Sequence, residues 1–549
     1  MDHTKPTLAV YGIQDRYNYK YPFYVHDHNL ALMQNGEVIN FLQLERETRI
    51  KRDNKLHENI YRLLKQKKLI PGDYDLMFVD NVVGRTFLTP TGDARFEAPL
   101  AHMPAAKAEP GKCWWFGAER EAWALNHELA HVFSCLPFFG NFKDNSLLVH
   151  FDGGASLSNF SAWAFKDGKI NLVEFHWDLK FLSAIYNANA LTFAIIGAGL
   201  EEQNSVPGKF MGYAGWGRYN PDIENWLVEN NYFETIWSKK TAFLKKAGEK
   251  WGVSLKSFDQ RNGFLKDVAA TLQYIFRRET VRKLKELAYK TKCRHLYYTG
   301  GCALNIYTNT AIVESALFDS VFIPPCTEDS GLSLGAAAYL EWEKHGEVKS
   351  HTPYLNNWGI EDYSTDFSDE DIKKTAYALS KGKIIGVCNG YGEAGPRALG
   401  NRSLLALANS KRLAGKISRE LKGREWYRPV APVALSENVK YFTGEKSIHH
   451  LAKYMLLDFP VVKEKQAEIA GALHANQTAR FQSVSDKNDN QFLYDLLKYL
   501  DENFKIKALI NTSFNTHGKP LVHTTEDTWA AAKKMKLDGL VINGKFQEL

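Results

Sequence analysis

The pattern of apolar and polar residues predicts two similar sets of β-strands. The first set covers residues 7–13, 29–34 and 38–42. The second set covers residues 146–151, 161–165 and 170–173. Asn35-Gly36 lies between two apolar runs, which is a strong signal for a β-hairpin, and residues 166–169 form the matching turn in the second set. A strand followed by a hairpin, present twice, predicts an α/β fold with a duplicated nucleotide-binding half.

Apolar residues at helical spacing fill most of the sequence between these strands. They predict helices over residues 57–67, 118–135 and most of 223–295, with a strand at 295–299. The small residues of 334–342 predict one more helix at the end of this part of the chain.

A mostly polar segment at 344–370 divides the chain. Pro353 interrupts it, and residues 361–371 are acidic and have no apolar period. A new strand-led α/β unit then starts at residues 384–388. Because 549 residues exceed what one hydrophobic core usually holds, we predict two domains, at 1–350 and 365–549.

The composition is that of a globular protein without a strong charge. Hydrophobic residues make up 44% of the chain, and 69 basic against 63 acidic residues give a net charge of +6. The basic residues do not form the clustered stripe that is expected of a nucleic-acid-binding protein. Six scattered cysteines form no disulfide framework, and we find neither a signal peptide nor a membrane-spanning apolar run. We expect a soluble, cytoplasmic protein without nucleic-acid or membrane partners, and we allow for a homodimer.

Two histidines and two aspartates are candidate metal ligands. His127 and His131 are four residues apart, so on a helix their imidazoles lie on one face. Asp152 follows a predicted strand, and Asp329 lies where a loop meets a helix. This donor set suits a divalent metal ion such as iron, manganese or zinc. The alternatives are two ordinary helix histidines and, for Asp329, a helix N-cap.

Three glycine-rich turns in the first domain predict a nucleotide cleft. They are Gly153-Gly154, Gly208-Lys209 and Gly300-Gly301. Glycine lets backbone N–H groups approach phosphate, and Lys209 has the charge to neutralise it. None of the three matches a Walker or dinucleotide-binding pattern, and each alone is also typical of a tight turn.

The second domain carries arginines among glycines, prolines and amides. Its polar stretches are 392–403, 424–432, 479–481 and 511–518. One arginine side chain can donate two parallel hydrogen bonds to a phosphate or carboxylate group, so this set predicts a site for a small anion. The alternative is a group of solvated surface arginines.

On these motifs the chain resembles the NodU/CmcH/TobZ family of O-carbamoyltransferases over nearly its whole length. The most specific matches are GPRALGNRS at 395–403, NTSFN at 511–515 and GGCALN at 300–305. The resemblance implies an N-terminal TsaD-like domain of the actin and sugar-kinase (ASKHA) type and a C-terminal YrdC-like α/β domain. It also implies that ATP, with magnesium, and carbamoyl phosphate give carbamoyl-adenylate, from which a hydroxyl of a small-molecule acceptor takes the carbamoyl group.

The resemblance assigns roles to individual residues. It implies iron or another divalent ion on His127, His131, Asp152 and Asp329. It implies His26 as general base beside Asp27, near the acceptor. The implied nucleotide-binding residues are Gly153, Gly154, Lys209, Gly300, Gly301 and Asn305. The implied carbamoyl phosphate ligands are Arg424, Arg428, Arg480 and Asn515. Segments 17–24 and 181–192 are candidate linings of the acceptor pocket.

The chain departs from the family pattern at four positions. Ala394 and Val430 stand where the family usually has phenylalanine, Glu328 where glycine is more common, and Asn476 where it has aspartate. Asn476 removes a charge near the expected anion site.

Three other functions remain open from the sequence. A threonylcarbamoyl transferase acting on tRNA shares both domain types. A non-catalytic module that binds nucleotide and metal and regulates a partner would be favoured if the candidate metal ligands were missing, and all four are present. A sugar kinase would leave the second domain unexplained.

Overall fold

The computed structural model describes residues 3–14, 25–81, 84–100, 106–177, 204–235, 240–252, 261–361, 363 and 367–549. Within these residues, three large sheets and the helices around them form an α/β fold. None of the described helices is both long and apolar enough to cross a membrane.

The first sheet has eight strands in the order β3-β2-β1-β4-β8-β7-β6-β5. The strands are β1 (Thr7–Tyr11), β2 (Asn29–Gln34), β3 (Glu37–Gln43), β4 (Asp75–Val79), β5 (Thr86–Leu88), β6 (Ala94–Glu97), β7 (Glu109–Trp115) and β8 (Ala118–Leu125). Its helices are α1 (Leu44–Thr48), α2 (Leu56–Gln66), α3 (His127–Phe133) and α4 (Leu136–Phe139).

The second sheet has five strands in the order β11-β10-β9-β12-β13. The strands are β9 (Ser146–Phe151), β10 (Phe160–Lys166), β11 (Lys169–His176), β12 (His295–Thr299) and β13 (Ser320–Phe322). The helices of this part are α5 (Val206–Ala214), α6 (Pro221–Glu229), α7 (Tyr232–Thr235), α8 (Lys240–Trp251), α9 (Gly263–Thr291), α10 (Ile306–Glu314) and α11 (Leu332–His345), with 3-10 turns at Gly301–Leu304 and Asp329–Gly331.

Five strands of the first sheet and the five of the second share one topology. In each, the first three strands form an antiparallel meander. The fourth strand then pairs in parallel with the first, and the fifth pairs in parallel with the fourth. The order third, second, first, fourth, fifth therefore occurs twice, and the predicted duplication is confirmed. The hairpin turns at Asn35-Gly36 and Asp167-Gly168 have positive φ at both residues, as two-residue hairpins require.

The predicted helix over 118–135 is wrong in its first half. Residues Ala118–Leu125 form β8, which pairs with β4 and β7, and the helix begins at His127. The sequence of β8 contains good helix formers, but pairing with two neighbouring strands outweighs this local preference. The side chain of Asn126 then caps α3 by accepting the N–H of Leu129 at 2.8 Å.

The third large sheet has seven strands in the order β19-β16-β20-β15-β14-β21-β22. Its strands are β14 (Ile385–Cys388), β15 (Arg402–Leu407), β16 (Ala431–Leu435), β19 (Gln482–Val484), β20 (Ala508–Ser513), β21 (Gly539–Ile542) and β22 (Lys545–Glu548), while β17 (Phe459–Pro460) pairs with β18 (Thr478–Ala479). The helices are α12 (Asp369–Ser380), α13 (Lys411–Gly415), α14 (Ser436–Thr443), α15 (Lys487–Phe504) and α16 (Thr525–Met535), with 3-10 turns at His450–Tyr454 and Lys463–Ile469 and a π-helix at Lys416–Leu421. The predicted α/β character of the C-terminal part is confirmed; the proposed domain limits stay predictions.

Helices α3 and α11 pack so closely that only glycine fits between them. A Cβ on Gly335 of α11 would lie 1.8 Å from the carbonyl oxygen of Ala130 in α3. Helix α11 also contacts β1, β2 and β4. Because α11 follows directly on Asp329, this contact sets the position of Asp329 relative to the histidines of α3.

Candidate active site

His127 and His131 lie side by side on the buried face of α3. Each is 1% exposed, and their Nε2 atoms are 3.0 Å apart. The spacing of four residues on the capped helix produces this arrangement, as predicted.

Asp329 completes a triangle with the two histidines. Its Oδ1 lies 3.4 Å from Nε2 of His127 and 3.4 Å from Nε2 of His131. The hydroxyl of Tyr11 donates to its Oδ2 at 2.9 Å. Burial raises the pKa of Asp329, but the charges of His127 and His26 lower it more, to well below its usual range.

The triangle fits a divalent cation. Metal–ligand bonds of about 2.0–2.2 Å place neighbouring donors roughly 3 Å apart, close to the separations of these three atoms. The Nδ1 atoms of His127 and His131 are buried and have no hydrogen-bond partner among the described residues. A set of imidazoles and carboxylates suits iron, manganese or zinc.

Asp152 lies at the edge of this cluster and belongs to a second, overlapping group. Its Oδ2 is 3.7 Å from Nε2 of His131, and its carboxylate accepts the N–H groups of Gly153 and Gly301. The ligand atoms of His131, His150 and Asp152 lie within 4.8 Å of one another, as do those of His127, His131 and Asp329. The four predicted ligands are thus in one region but form no single group of this kind in the described residues.

His150 is a member of this region that sequence reasoning missed. It lies on β9 and is fully buried, and its ring stacks on that of His131 with 5.1 Å between centroids. Burial and the neighbouring His131 hold the pKa of His150 well below its usual value. Little in the sequence pointed to His150, because a lone histidine in an apolar strand usually belongs to the core.

His26 and Asp27 lie next to Asp329. Nδ1 of His26 is 2.8 Å from Oδ2 of Asp27 and 3.8 Å from Oδ2 of Asp329. Burial lowers the pKa of His26, but the Asp329 and Asp27 carboxylates outweigh it and raise the pKa to about 9. His26 therefore holds its proton at neutral pH in this arrangement, in contrast to the near-neutral pKa expected of a general base, and its role near the acceptor stays a prediction.

The glycines and polar residues predicted to bind nucleotide have varied surroundings. Gly300 has a φ of +91°, and a Cβ there would lie 2.2 Å from the carbonyl oxygen of Phe151, so the 300–301 turn closes against the Asp152 loop. Gly153 and Gly154 are exposed on that loop. Asn305 caps α10 and exchanges two hydrogen bonds with the Gln273 amide.

Lys209 contacts a carboxylate from the C-terminal part. Its Nζ lies 2.5 Å from Oε1 of Glu425, and the lysine is 4% exposed. This ion pair joins α5 to the loop that carries Arg424 and Arg428, so Lys209 links the two parts of the chain.

A cavity of about 220 Å³ opens between the N-terminal and C-terminal parts. Helix α5, Trp216 and the start of α10 form one side, and the C-terminal loops form the other. Four arginines line it, namely Arg397, Arg424, Arg428 and Arg480.

The charges of these arginines are poorly compensated. Burial and the neighbouring guanidinium of Arg428 lower the pKa of Arg424 to about 9. Burial and Arg397 lower that of Arg480 well below its usual range. The Nε atoms of Arg397 and Arg480 are buried without hydrogen-bond partners in the described residues. Crowded guanidinium groups with free donors favour a bound anion.

Asn515 contributes to the anion site indirectly. It does not line the cavity; its Oδ1 accepts from Nζ of Lys422 at 2.5 Å and from Oγ of Ser513 at 2.7 Å. Ser513 lines the cavity and also accepts from Arg424 at 3.3 Å. Lys422 is therefore a fifth basic residue beside this site, after the four arginines, and its place two residues before Arg424 was the signal for it.

The two arginines of the 395–403 motif have different surroundings. Arg402 is 1% exposed and donates to the carbonyl oxygens of Asn389, Gly390 and His523. It therefore joins the 389–390 and 523 segments to the start of β15. Arg397 instead lines the cavity, a role that sequence reasoning did not assign to it individually.

The departures from the family pattern fall around this cavity. Val430 lines it, and Ala394 is buried beside Gly395. Asn476 is exposed and accepts from Thr478 at 2.9 Å. A negative charge remains near Arg480, because the Asp458 carboxylate raises the pKa of Arg480. Oδ1 of Asp458 also lies 3.3 Å from Nδ1 of His474.

Glu328 connects the metal cluster with the arginine cavity. It directly precedes Asp329, its charge interacts with Arg397, and its Oε1 accepts from Ser330. Burial raises its pKa to about 8. The 300–307 segment makes a second connection, since Gly301 contacts Asp152 while Tyr307 lines the cavity. Segments 17–24 and 181–192, predicted to line the acceptor pocket, lie outside the described residues.

Comparison with known proteins identifies the family of this chain. Residues 118–338 match the family described as Carbamoyltransferase N-terminus, and residues 376–548 match Carbamoyltransferase C-terminus. The chain is 32% identical to nodulation protein NolO of Bradyrhizobium diazoefficiens, over 76% of this chain and 78% of that protein. It is 30% identical to an uncharacterized protein of Methanocaldococcus jannaschii, over 76% of this chain and 72% of the relative.

Solved structures overlap with the fold only partly. The alignment with a full-length HypF in its phosphate- and nucleotide-bound form covers 61% of this chain and 55% of the HypF chain, with 12% identity and a TM-score of 0.34. The family assignment therefore depends on the sequence matches in both halves. On these matches, the chain belongs to the carbamoyltransferase family.

Proposed function

We propose that this carbamoyltransferase uses ATP and carbamoyl phosphate to make carbamoyl-adenylate and passes the carbamoyl group to a hydroxyl of a small-molecule acceptor. The observation that carries the proposal is the pairing of an arginine-lined cavity with a buried metal cluster in one chain. The first suits phosphorylated substrates, and the second suits activation of a carbonyl group.

The first stage takes place in the arginine cavity. Arg424, Arg428 and Arg480 bind the phosphate oxygens of carbamoyl phosphate, which water cleaves to carbamate and inorganic phosphate. A carbamate oxygen then attacks the α-phosphorus of magnesium-bound ATP, and pyrophosphate leaves. Guanidinium groups stabilise the negative charge that builds up on the phosphate oxygens in both steps.

The second stage takes place at the metal cluster. The acceptor oxygen bonds to the carbamoyl carbon, and AMP leaves with the electron pair of the broken C–O bond. A divalent cation on His127, His131, Asp152 and Asp329 would polarise the carbamoyl carbonyl and offset the negative charge that keeps His26 protonated. Neutral His26 takes the hydroxyl proton at Nε2, while Asp27 holds its Nδ1.

We propose iron as the cation and a small hydroxylated molecule, such as a sugar or natural product, as the acceptor. The imidazole and carboxylate donors support iron. The modest net charge of +6 favours a small acceptor over a tRNA.

The experiment is a product search with the purified, metal-loaded protein. It is incubated with ATP, magnesium, carbamoyl phosphate carrying a ¹³C label, a panel of small hydroxylated acceptors and, in a parallel reaction, a tRNA pool. We expect one acceptor class to gain a labelled carbamoyl group only when all components are present. Label on a tRNA pool but on no small molecule would refute the proposed acceptor. Phosphorylated acceptor with ADP would refute carbamoyl transfer and indicate a kinase.

A further inference from the structure

His150 has two buried ring nitrogens and no partner for either of them. It is 0% exposed on β9, and neither Nδ1 nor Nε2 has a hydrogen-bond partner among the described residues. A buried polar group left without a hydrogen-bond partner destabilises the fold. A ring with two such groups therefore calls for a ligand that the chain itself does not provide.

The neighbours of His150 indicate what that ligand is. Its ring stacks on that of His131 at an interplanar angle of 26°, and its donor atoms lie within 4.8 Å of those of His131 and Asp152. His131 also belongs to the group with His127 and Asp329. Nε2 of His131 lies 3.0 Å from Nε2 of His127, 3.4 Å from Oδ1 of Asp329 and 3.7 Å from Oδ2 of Asp152, so an ion bound to this nitrogen lies within reach of both groups.

We propose that His150 is a further ligand of the cation held by His127 and His131, which completes a centre of three imidazoles and two carboxylates. Five protein donors exceed the four of a structural zinc site and leave one position of an octahedron for a substrate oxygen. The nitrogen-rich set favours Fe²⁺ over Mg²⁺, which prefers oxygen ligands. The inference depends on the metal centre of the proposed function, but not on carbamoyl transfer.

The test measures metal binding alone, without ATP or carbamoyl phosphate. Metal-free wild type, His150→Phe and His176→Phe are titrated with Co²⁺ under competition from a chelator, and the visible spectrum of the bound ion is recorded. Phenylalanine keeps the ring that stacks on His131 and removes both nitrogens. His176 is the matched control, since it is exposed at the end of the next hairpin.

We expect one Co²⁺ per wild-type chain and an affinity at least about tenfold lower in His150→Phe, with a changed Co²⁺ spectrum. We expect His176→Phe to match the wild type, and the metal-free His150→Phe protein to melt no lower than the metal-free wild type. Wild-type affinity and spectrum in His150→Phe would overturn the proposal, and so would two ions per wild-type chain. Because no substrate is present, failure of carbamoyl transfer would leave this result unaffected.

Discussion

The arginine cavity shows how single residues determine what the protein binds. Arg397, Arg424, Arg428 and Arg480 face one another, and burial together with mutual repulsion lowers the pKa of Arg424 and Arg480. The neighbouring carboxylates of Glu328, Glu425 and Asp458 neutralise only part of this charge. An anionic substrate therefore gains charge-assisted hydrogen bonds when it enters.

Replacing Arg480 by alanine is expected to weaken the use of carbamoyl phosphate. The loss of a charge-assisted hydrogen bond of about 1.5–3 kcal/mol corresponds to a KM for carbamoyl phosphate that is roughly 10- to 100-fold higher. Steady-state kinetics with metal-loaded protein gives the KM, and elemental analysis gives the metal content, which should not change. Arg412→Ala on the exposed side of α13 is the control. A KM in Arg480→Ala equal to that of the control would remove Arg480 from the site.

Residue types and spacing predicted some site residues but not others. The spacing of His127 and His131 was informative, because one helix turn determines how such a pair meets. Arg397 and Arg402 could not be distinguished, since both lie among loop residues, yet Arg402 binds three backbone carbonyl groups. The pKa of His26 depends on Asp329, which is 303 positions away and comes close only through the fold.

At the scale of elements, the contact between α3 and α11 positions the metal cluster. Helix α3 carries both histidines, and α11 follows directly on Asp329. The two helices meet at Gly335, where the Ala130 carbonyl leaves no room for a methyl group. This backbone contact therefore determines how far His127 and His131 lie from Asp329, although neither Gly335 nor Ala130 is a candidate metal ligand.

Gly335→Ala is expected to lower metal affinity without changing any ligand. The added methyl group would push α3 away from α11 and separate the histidines from Asp329. We expect at least a tenfold loss of Fe²⁺ or Co²⁺ affinity, measured by chelator competition. Gly263→Ala is the matched control, because a Cβ there meets nothing within 4 Å. If Gly335→Ala binds metal as tightly as Gly263→Ala, the helix contact does not position the ligands.

Secondary structure followed from the sequence where local and long-range preferences agree. The two hairpins were predicted because Asn35-Gly36 and Asp167-Gly168 favour the turn and the flanking runs favour strands. The strand β8 was missed because its residues 118–125 favour a helix locally, while pairing with β4 and β7 requires a strand. No local pattern reports the pairing with β4, because it joins residues about 46 positions apart. The pairing with β7 closes at the Phe116-Gly117 turn, a local signal that the sequence reasoning missed.

At the scale of the whole molecule, two sites are joined through shared segments. Glu328 interacts with Arg397 of the cavity and precedes Asp329 of the metal cluster. The 301–307 segment contacts Asp152 at one end and the cavity at the other. The Lys209–Glu425 pair holds α5 against the loop of Arg424. Sequence motifs predicted the residues of both candidate sites. The segments that connect the two sites come together only through packing between distant parts of the chain.

Loss of the metal cluster should separate the two stages of the reaction. His127→Ala removes a proposed metal ligand and leaves the cavity arginines unchanged, so we expect metal retention and carbamoyl transfer to be lost. Exchange of labelled pyrophosphate into ATP, dependent on carbamoyl phosphate, should continue at a rate within a few-fold of the wild type. Full metal content and full transfer in His127→Ala would show that His127 is not a ligand.

In the proposed mechanism, carbamoyl-adenylate links the two sites. The decisive measurement identifies the adenine nucleotide and the phosphates released when the metal-loaded protein turns over ATP and carbamoyl phosphate in the presence of a hydroxylated acceptor. We expect AMP and pyrophosphate in equal amounts, strictly dependent on carbamoyl phosphate and strongly reduced in Arg480→Ala. ADP as the only nucleotide product, or AMP formed equally well without carbamoyl phosphate, would contradict the proposed mechanism.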